Sequence, residues 1–161
     1  MGLFSFLNAK DNHSNGTPPF EFSQITDQVF IGTNACCRVH FEDRLLKLGV
    51  SADISLEEKR IDHPFGIDAY LWLPTKDHTP PSRENADVGI SALKKLLEQG
   101  RKVYIHCQNG HGRGPTLFAA YLISTGMKPD DAIALIAAKR PATHLEPSQI
   151  DFLRASATMP S

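Results

Sequence analysis

A mostly parallel α/β sheet of about four to five strands, flanked by helices, is the fold this sequence predicts. Three observations carry that expectation. Short apolar runs alternate with longer amphipathic stretches, and proline or a capping residue opens these stretches while glycine closes them. One apolar run, "RKVYI", leads straight into the glycine-rich "HCQNGHGRG", and that loop leads into the apolar "PTLFAAYLIST". With 161 residues, 41% apolar and 22% charged, the chain has enough material for one domain with its own core.

Residues 8 to 19, "NAKDNHSNGTPP", read as a polar lead-in, so a flexible segment is expected over 1–20 and a single domain over 21–158. "ITDQVFIG" reads as a short strand ending in a turn. "HFEDRLLKLGV" reads as a short helix closed by Gly49, and "SADISL" as the next strand. After the charged loop "EEKRIDHPFGID", "AYLWLP" is a third strand. The prolines of "TKDHTPPS" end it, and Ser82 is placed to cap the next helix. In that helix Ala86, Ile90, Leu93 and Leu97 recur at helical spacing before Gly100, which marks it as amphipathic. "PDDAIALIAAKR" and "PSQIDFLRASA" each open with a first-turn proline and read as two further helices.

Charge and composition exclude several function classes. The net charge of −1 supplies no basic field for nucleic acid. No apolar run approaches the ~18 residues needed to span a membrane. The start "MGLFSFLNAK" offers too little for a signal peptide, and Phe6 stands where a myristoylation pattern wants Ser or Thr. Three cysteines, with Cys36 and Cys37 adjacent, make no disulfide framework, so a reducing, cytoplasmic setting is expected, and a monomer. Cys36 and Cys37 read as ordinary element-end cysteines, the alternative being a resolving thiol for oxidised Cys107.

The loop at 106–116, "HCQNGHGRGPT", carries the chemistry. A glycine-rich turn between a strand and a helix points successive N–H groups into one concavity, and the helix dipole adds positive potential there. Such a cradle favours an anion and also a thiolate, which makes Cys107 the candidate nucleophile. Arg113 brings a planar fork that can grip two oxygens of a tetrahedral oxyanion. Gly110, Gly112 and Gly114 leave room for close backbone approach. Nucleophile, donors and fixed cation are what displacement at phosphorus requires. Neither nucleotide-loop pattern, "GxxxxGK[ST]" nor "GxGxxG", is present.

"VYIHCQNGHGRGPT" resembles the signature of cysteine-dependent protein tyrosine and dual-specificity phosphatases: histidine-cysteine, five residues, then arginine. The resemblance runs over roughly residues 22–157. It includes "LPTKD", similar to that family's general-acid loop, and "AAYLISTGMKPDDAIALIAAKR" with "EPSQIDFL", similar to its last helices and to those of the mitochondrial phosphatidylglycerophosphate phosphatase branch. It implies that Cys107 attacks phosphorus and forms a phosphocysteine, and that Arg113 with the backbone of Gln108, Asn109, Gly110, His111, Gly112 and Gly114 binds the phosphoryl oxygens. Asp77 is then the general acid, with Asp62, Asp68, Asp87 and His78 as neighbours in sequence that compete for the role. His106 orders the loop, and Gln149 corresponds to a glutamine that positions water in some branches. No cofactor or metal is expected, because the chelating pairs typical of zinc sites are missing around Cys107, His106 and His111.

One position departs from the family. The residue after the arginine is usually Ser or Thr, whose hydroxyl stabilises the departing thiolate, and here it is Gly114, with Thr116 two residues on. This leaves two readings: an active enzyme with a slower second step, or a phosphate-binding module of weak turnover. Sulfur transfer of the rhodanese type is a third class, but it calls for no acid such as that of "LPTKD". Low-molecular-weight phosphatases and arsenate reductases carry the spacing near the N-terminus, and Cys107 lies too late. Between Cys107 and Arg113 the loop holds no Lys or Arg, only His111. That absence leans towards phosphotyrosine, phosphoserine/threonine or a small monophosphate ester, while the resemblance to the lipid branch leans towards a lipid phosphate.

Overall fold

The structure is a computed structural model and describes residues 18–158. Residues 1–17, which hold most of the expected lead-in, lie outside the described residues. A five-stranded sheet runs in the order β1-β2-β5-β3-β4. Its strands are β1 (Phe22–Gln24), β2 (Val29–Gly32), β3 (Val50–Ser55), β4 (Ala69–Trp72) and β5 (Lys102–His106). All neighbours pair in parallel except the edge strand β1, which runs antiparallel to β2. The helices are α1 (Asp43–Lys47), α2 (Arg83–Glu98), α3 (Arg113–Ser124), α4 (Pro129–Lys139) and α5 (Pro147–Ser156), and a 3-10 turn spans Asn34–Cys37.

Local chemistry sets the helix limits. Ser82 Oγ accepts from the Asn85 N–H at 3.2 Å, and Gly100 closes the far end with φ of 74°. Gly49 does the same after α1 at φ of 86°. Prolines open α4 and α5. α5 adds a reciprocal cap in which Glu146 and Gln149 each satisfy the other's backbone.

Strand parity then divides the interior in two. On one face Val29, Ile31, Ala52, Ile54, Val103 and Ile105 meet Leu93, Leu117, Phe118, Ile136 and Leu153 from α2 to α5. Each such side chain, fully buried, stabilises the fold by roughly 1.5–3 kcal/mol. On the other face Phe30, Val50 and Tyr104 meet Cys36, Cys37, Phe41 and Leu45. The helices therefore cover both faces unequally. α3 is buried along nearly its whole length, which is why "PTLFAAYLIST" has no polar face.

Two elements differ from the sequence expectation. "ITDQVFIG" is a strand only from Val29, and the unpredicted β1 precedes it. The cysteines need a correction as well. Cys36 and Cys37 are joined by a disulfide, whereas Cys107 is a free, buried thiol. A bond between adjacent residues closes almost no chain, so it staples no distant elements together. It packs on the face opposite the core cluster that contains Cys107.

Gly32 ends β2 where β1 and β5 converge. A Cβ there would overlap the Glu21 carbonyl oxygen and the Tyr104 hydroxyl. Gly32→Ala is expected to cost about 3 kcal/mol through overpacking, read as a lowered denaturant midpoint at unchanged m-value.

Candidate active site

β5 delivers His106 and Cys107 to the edge of the sheet, the loop turns at Gly110, and α3 begins at Arg113. Gly112 is the N-cap of α3 and lends no side chain, so the first-turn N–H groups have no side-chain cap. The loop opens into a cavity of about 260 Å³ lined by Asp77, His78, Cys107, Asn109, His111, Gly112, Arg113, His144, Glu146 and Gln149. Gln108, Gly110 and Gly114 are not part of that lining.

Arg113 is almost fully buried and held from two sides. Its Nη1 donates to the Thr75 carbonyl at 3.0 Å and the Leu56 carbonyl at 3.3 Å, and Nη2 lies 3.2 Å from Asp77 Oδ1. Asp77 is half exposed at the cavity mouth. Its carboxylate competitors are elsewhere. Asp62 is buried and paired with Arg60 at 2.7 Å, Asp68 faces Arg101 at 3.8 Å, and Asp87 lines a separate groove beside α2. His78 stays at the site, its Nδ1 2.9 Å from Glu146 Oε1, in a left-handed backbone conformation with φ of 61°.

Gln149 is buried rather than solvated, contrary to what a first-turn glutamine suggests. Its Nε2 donates to the Thr79 carbonyl at 3.1 Å, which ties α5 to the segment carrying Asp77. It also abuts Gly112, where a Cβ would meet the Gln149 amide at 3.0 Å. Thr116 is buried, and its hydroxyl donates to the Gly112 carbonyl at 2.7 Å, so that proton is committed within the helix. Gly114 has no left-handed backbone angle, and a Cβ there meets only ordinary contacts at 3.6 Å from Ile105 and Ile31.

His106 points away from the cavity. It is fully buried, stacks on Tyr104 and lies 3.4 Å from both Asp53 and Asp62 carboxylates. Burial pulls its pKa down, but the Asp53 charge and then those of Asp62 and Glu57 outweigh that, and the net shift is upward. Burial also raises the pKa of Asp53. The His106 charge pulls the other way on Asp53, and burial outweighs it.

Arg140 is the functional residue that sequence reasoning missed. It is fully buried behind the loop, where Nε donates to the Gly110 carbonyl at 2.7 Å and Nη2 to the Asn109 carbonyl at 3.2 Å. Nη1 reaches Ser23 Oγ at 3.2 Å, and Nη2 pairs with Glu21. The only sequence signal is "KRP" at the end of α4, where an arginine reads as an ordinary last-turn cation.

The comparisons with known proteins agree with this geometry. A family model described as "polymorphic toxin system, DSP-PTPase phosphatase" matches residues 33–127. Human phosphatidylglycerophosphatase and protein-tyrosine phosphatase 1 is 37% identical over 86 residues, covering 52% of this chain and 43% of the relative. Bovine protein tyrosine phosphatase type IVA 3 is 36% identical over 114 residues, covering 67% of this chain and 65% of the relative. Among solved structures, that of PTPMT1 superposes with a TM-score of 0.71 at 25% identity, covering 85% of this chain and 94% of its own. Human DUSP28 superposes at 0.74 with 18% identity, covering 84% and 94%, a likeness of fold.

Truncating Arg140 leaves two loop carbonyls without their buried donor. Arg140→Met is expected to destabilise the protein by about 2–3 kcal/mol and to weaken vanadate binding, with Cys107 still present. Denaturant unfolding and amide exchange at residues 108–112 check this, since the exchange should rise first in the loop.

Proposed function

This chain belongs to the DSP-PTPase phosphatase family, and we propose on that premise that it hydrolyses phosphomonoesters through a phosphocysteine intermediate. The observation that carries this reading is the meeting of Cys107, the Arg113 fork and Asp77 at one small cavity beside the start of α3.

In the first step the Cys107 thiolate attacks phosphorus as the ester P–O bond breaks, and Asp77 gives its proton to the leaving oxygen. Arg113 and the loop N–H groups bind the three equatorial oxygens, whose charge must be held but not reorganised. In the second step water attacks phosphorus, Asp77 takes a proton back, and the thiolate departs. A role for Gln149 in holding that water is supported by its burial at the cavity wall beside Gly112. Before substrate arrives, Asp77 sits against an Nη2 that a phosphoryl oxygen would use. Asp77 is half exposed although Arg113 is buried, so water screens the pair in part and a phosphoryl oxygen can take the place of Asp77.

The working protein is read as a single catalytic domain over 21–158, monomeric, and cytoplasmic because Cys107 must stay reduced. No helix among the described residues is long and apolar enough to cross a membrane. The substrate reading is a phosphotyrosine, a phosphoserine/threonine or a small monophosphate ester. Among the described residues, Arg113 is the sole Lys or Arg in the cavity lining, beside His78, His111 and His144. A lipid phosphate is the second reading, favoured by the name of the human relative, of whose length the chain spans less than half. Assay against phosphopeptides, phosphatidylglycerophosphate and phosphoinositides, with chelator present, decides between them. Cys107→Ser should abolish turnover on every substrate while vanadate still binds. Retained hydrolysis overturns the nucleophile assignment, and dominant thiosulfate-to-cyanide transfer overturns the reaction class.

Asp77→Asn should lower turnover about a hundredfold on esters with poor leaving groups and far less on an activated aryl phosphate. Steady-state kinetics on the two substrates check the difference, and equal losses point to a structural role.

With Gly114 in place of a hydroxyl and Thr116 committed to Gly112, thiolate departure should limit the rate. Rapid mixing with an activated aryl phosphate should give a burst of about one equivalent before slow turnover. Gly114→Ser, sterically admissible here, should raise the steady-state rate and shrink the burst. No burst and no response to the substitution would remove this position from control of turnover.

A further inference from the structure

Beneath the nucleophile loop, on the far face of the sheet, lies a cluster the phosphatase mechanism does not use. Cys36 and Cys37 come from the 3-10 turn after β2, Asp53 from β3 and His106 from the end of β5. One donor atom from each lies within 4.8 Å of all the others, and all four residues are buried. Cys37 Sγ is 3.6 Å from Asp53 Oδ2 and 3.9 Å from the His106 ring. Among the described residues, Asp53 Oδ1 and His106 Nδ1 have no hydrogen-bond partner. Asp53 Oδ1 meets only the His106 Nε2, at 3.4 Å and outside hydrogen-bond geometry, and an under-bonded buried carboxylate is costly. Phe30, Phe41 and Tyr104 wall the cluster, and the buried Asp62 carboxylate lies 3.4 Å from the same ring nitrogen.

We infer that, when the Cys36–Cys37 bond is reduced, these four residues form a closed site for a thiophilic divalent cation, with zinc the best match. Two sulfurs, one imidazole and one carboxylate are a donor set that zinc takes in tetrahedral geometry. Calcium and magnesium want oxygen donors and are excluded by the same set. Four buried protein ligands make a structural site, one that leaves no open position for substrate. A cation there gives the under-bonded Asp53 carboxylate a full partner and ties the turn after β2 to β3 and β5.

Loading the site has two balanced steps. A dithiol reductant gives two electrons and two protons to the disulfide, becoming a disulfide itself and leaving two thiols on the protein. Zinc then replaces the two thiol protons, together with those of Asp53 and His106 where either is protonated, and all of these leave to solvent. The oxidised protein cannot bind, since its sulfurs are spent on one another. Because His106 precedes Cys107, the metal also fixes the residue on which the nucleophile loop begins. Zinc uptake is independent of the phosphatase reading, since neither Asp77 nor Arg113 takes part.

The test uses the full chain carrying Cys107→Ser, which removes the competing thiol. The protein is reduced with dithiothreitol, desalted without oxygen, given zinc, desalted again and measured for bound metal. The reduced protein should retain about one equivalent, and the unreduced protein none. Cobalt in place of zinc should give thiolate-to-metal charge-transfer absorption in the reduced sample alone. Cys36→Ser with Cys37→Ser should lose both signals, and Asp53→Asn, which keeps the side-chain volume, should lower the occupancy. Thermal unfolding should move upward with zinc only in the reduced, cysteine-containing protein. The proposal is overturned if the reduced protein takes up no metal, if it takes up as much without the two cysteines, or if no dithiol opens the bond in the folded chain. The reduced and unreduced samples are the same Cys107→Ser protein, so misfolding of the Cys36, Cys37 or Asp53 variants does not blur the outcome.

Discussion

A loop that binds an anion with its own backbone cannot also hold itself in shape, because its N–H groups must all face inward and its glycines bring no side chains. The shape has to be imposed from behind. Here Arg140 imposes it, gripping the carbonyls of Gly110 and Asn109 while Glu21 and Ser23 hold the guanidinium in turn. Asn34 and His144 add backbone bonds to Gln108 and His111. The edge strand β1 then has a purpose beyond extending the sheet, since the segment around it supplies both partners that keep Arg140 in place. Five donors in a rigid plane suit that task, and a lysine in the same place would reach fewer carbonyls.

The front of the loop is governed by a different logic. Asp77, His78 and Thr79 belong to a segment linked to α5 through Glu146, Ser148 and Gln149. The link explains why Gln149 is buried although it stands in the first turn of a helix. The residue caps its own helix through Oε1 and holds the opposite wall through Nε2. Asp77, the proposed acid, is thus carried on a strap fastened to a helix, whereas Cys107 and Arg113 stand on the strand–loop–helix unit.

The features legible in the sequence were those that local chemistry decides. Ser82, Gly49 and Gly100 mark helix limits because a cap or a left-handed turn needs only its immediate neighbours. Cys107, Arg113 and Asp77 were readable because a strand, a bare loop and a helix in succession have one sensible geometry, and "LPTKD" ends a strand beside it. β1 was not readable, because three residues pairing at an edge leave no period to detect. Arg140 was hidden for another reason: its partners lie 30 to 119 residues away in the chain. The Cys36–Cys37 bond was also missed. Adjacency in sequence shows that two thiols are near each other, but not that they are joined, nor that Asp53 and His106 converge on them from two other strands.

The separation of the cysteines by the sheet has a consequence for damage. A peroxide that enters the cavity meets Cys107, and the thiolate of the proposed mechanism would be oxidised to a sulfenic acid. Enzymes of this chemistry escape further oxidation when a second thiol can condense with that acid. With Cys36 and Cys37 packed in the cluster on the opposite face of the sheet, no such thiol is within the same interior. Recovery therefore depends on a small diffusible thiol reaching the cavity before the next equivalent of oxidant. The lifetime of the enzyme under oxidative stress is then set by the thiol pool around it.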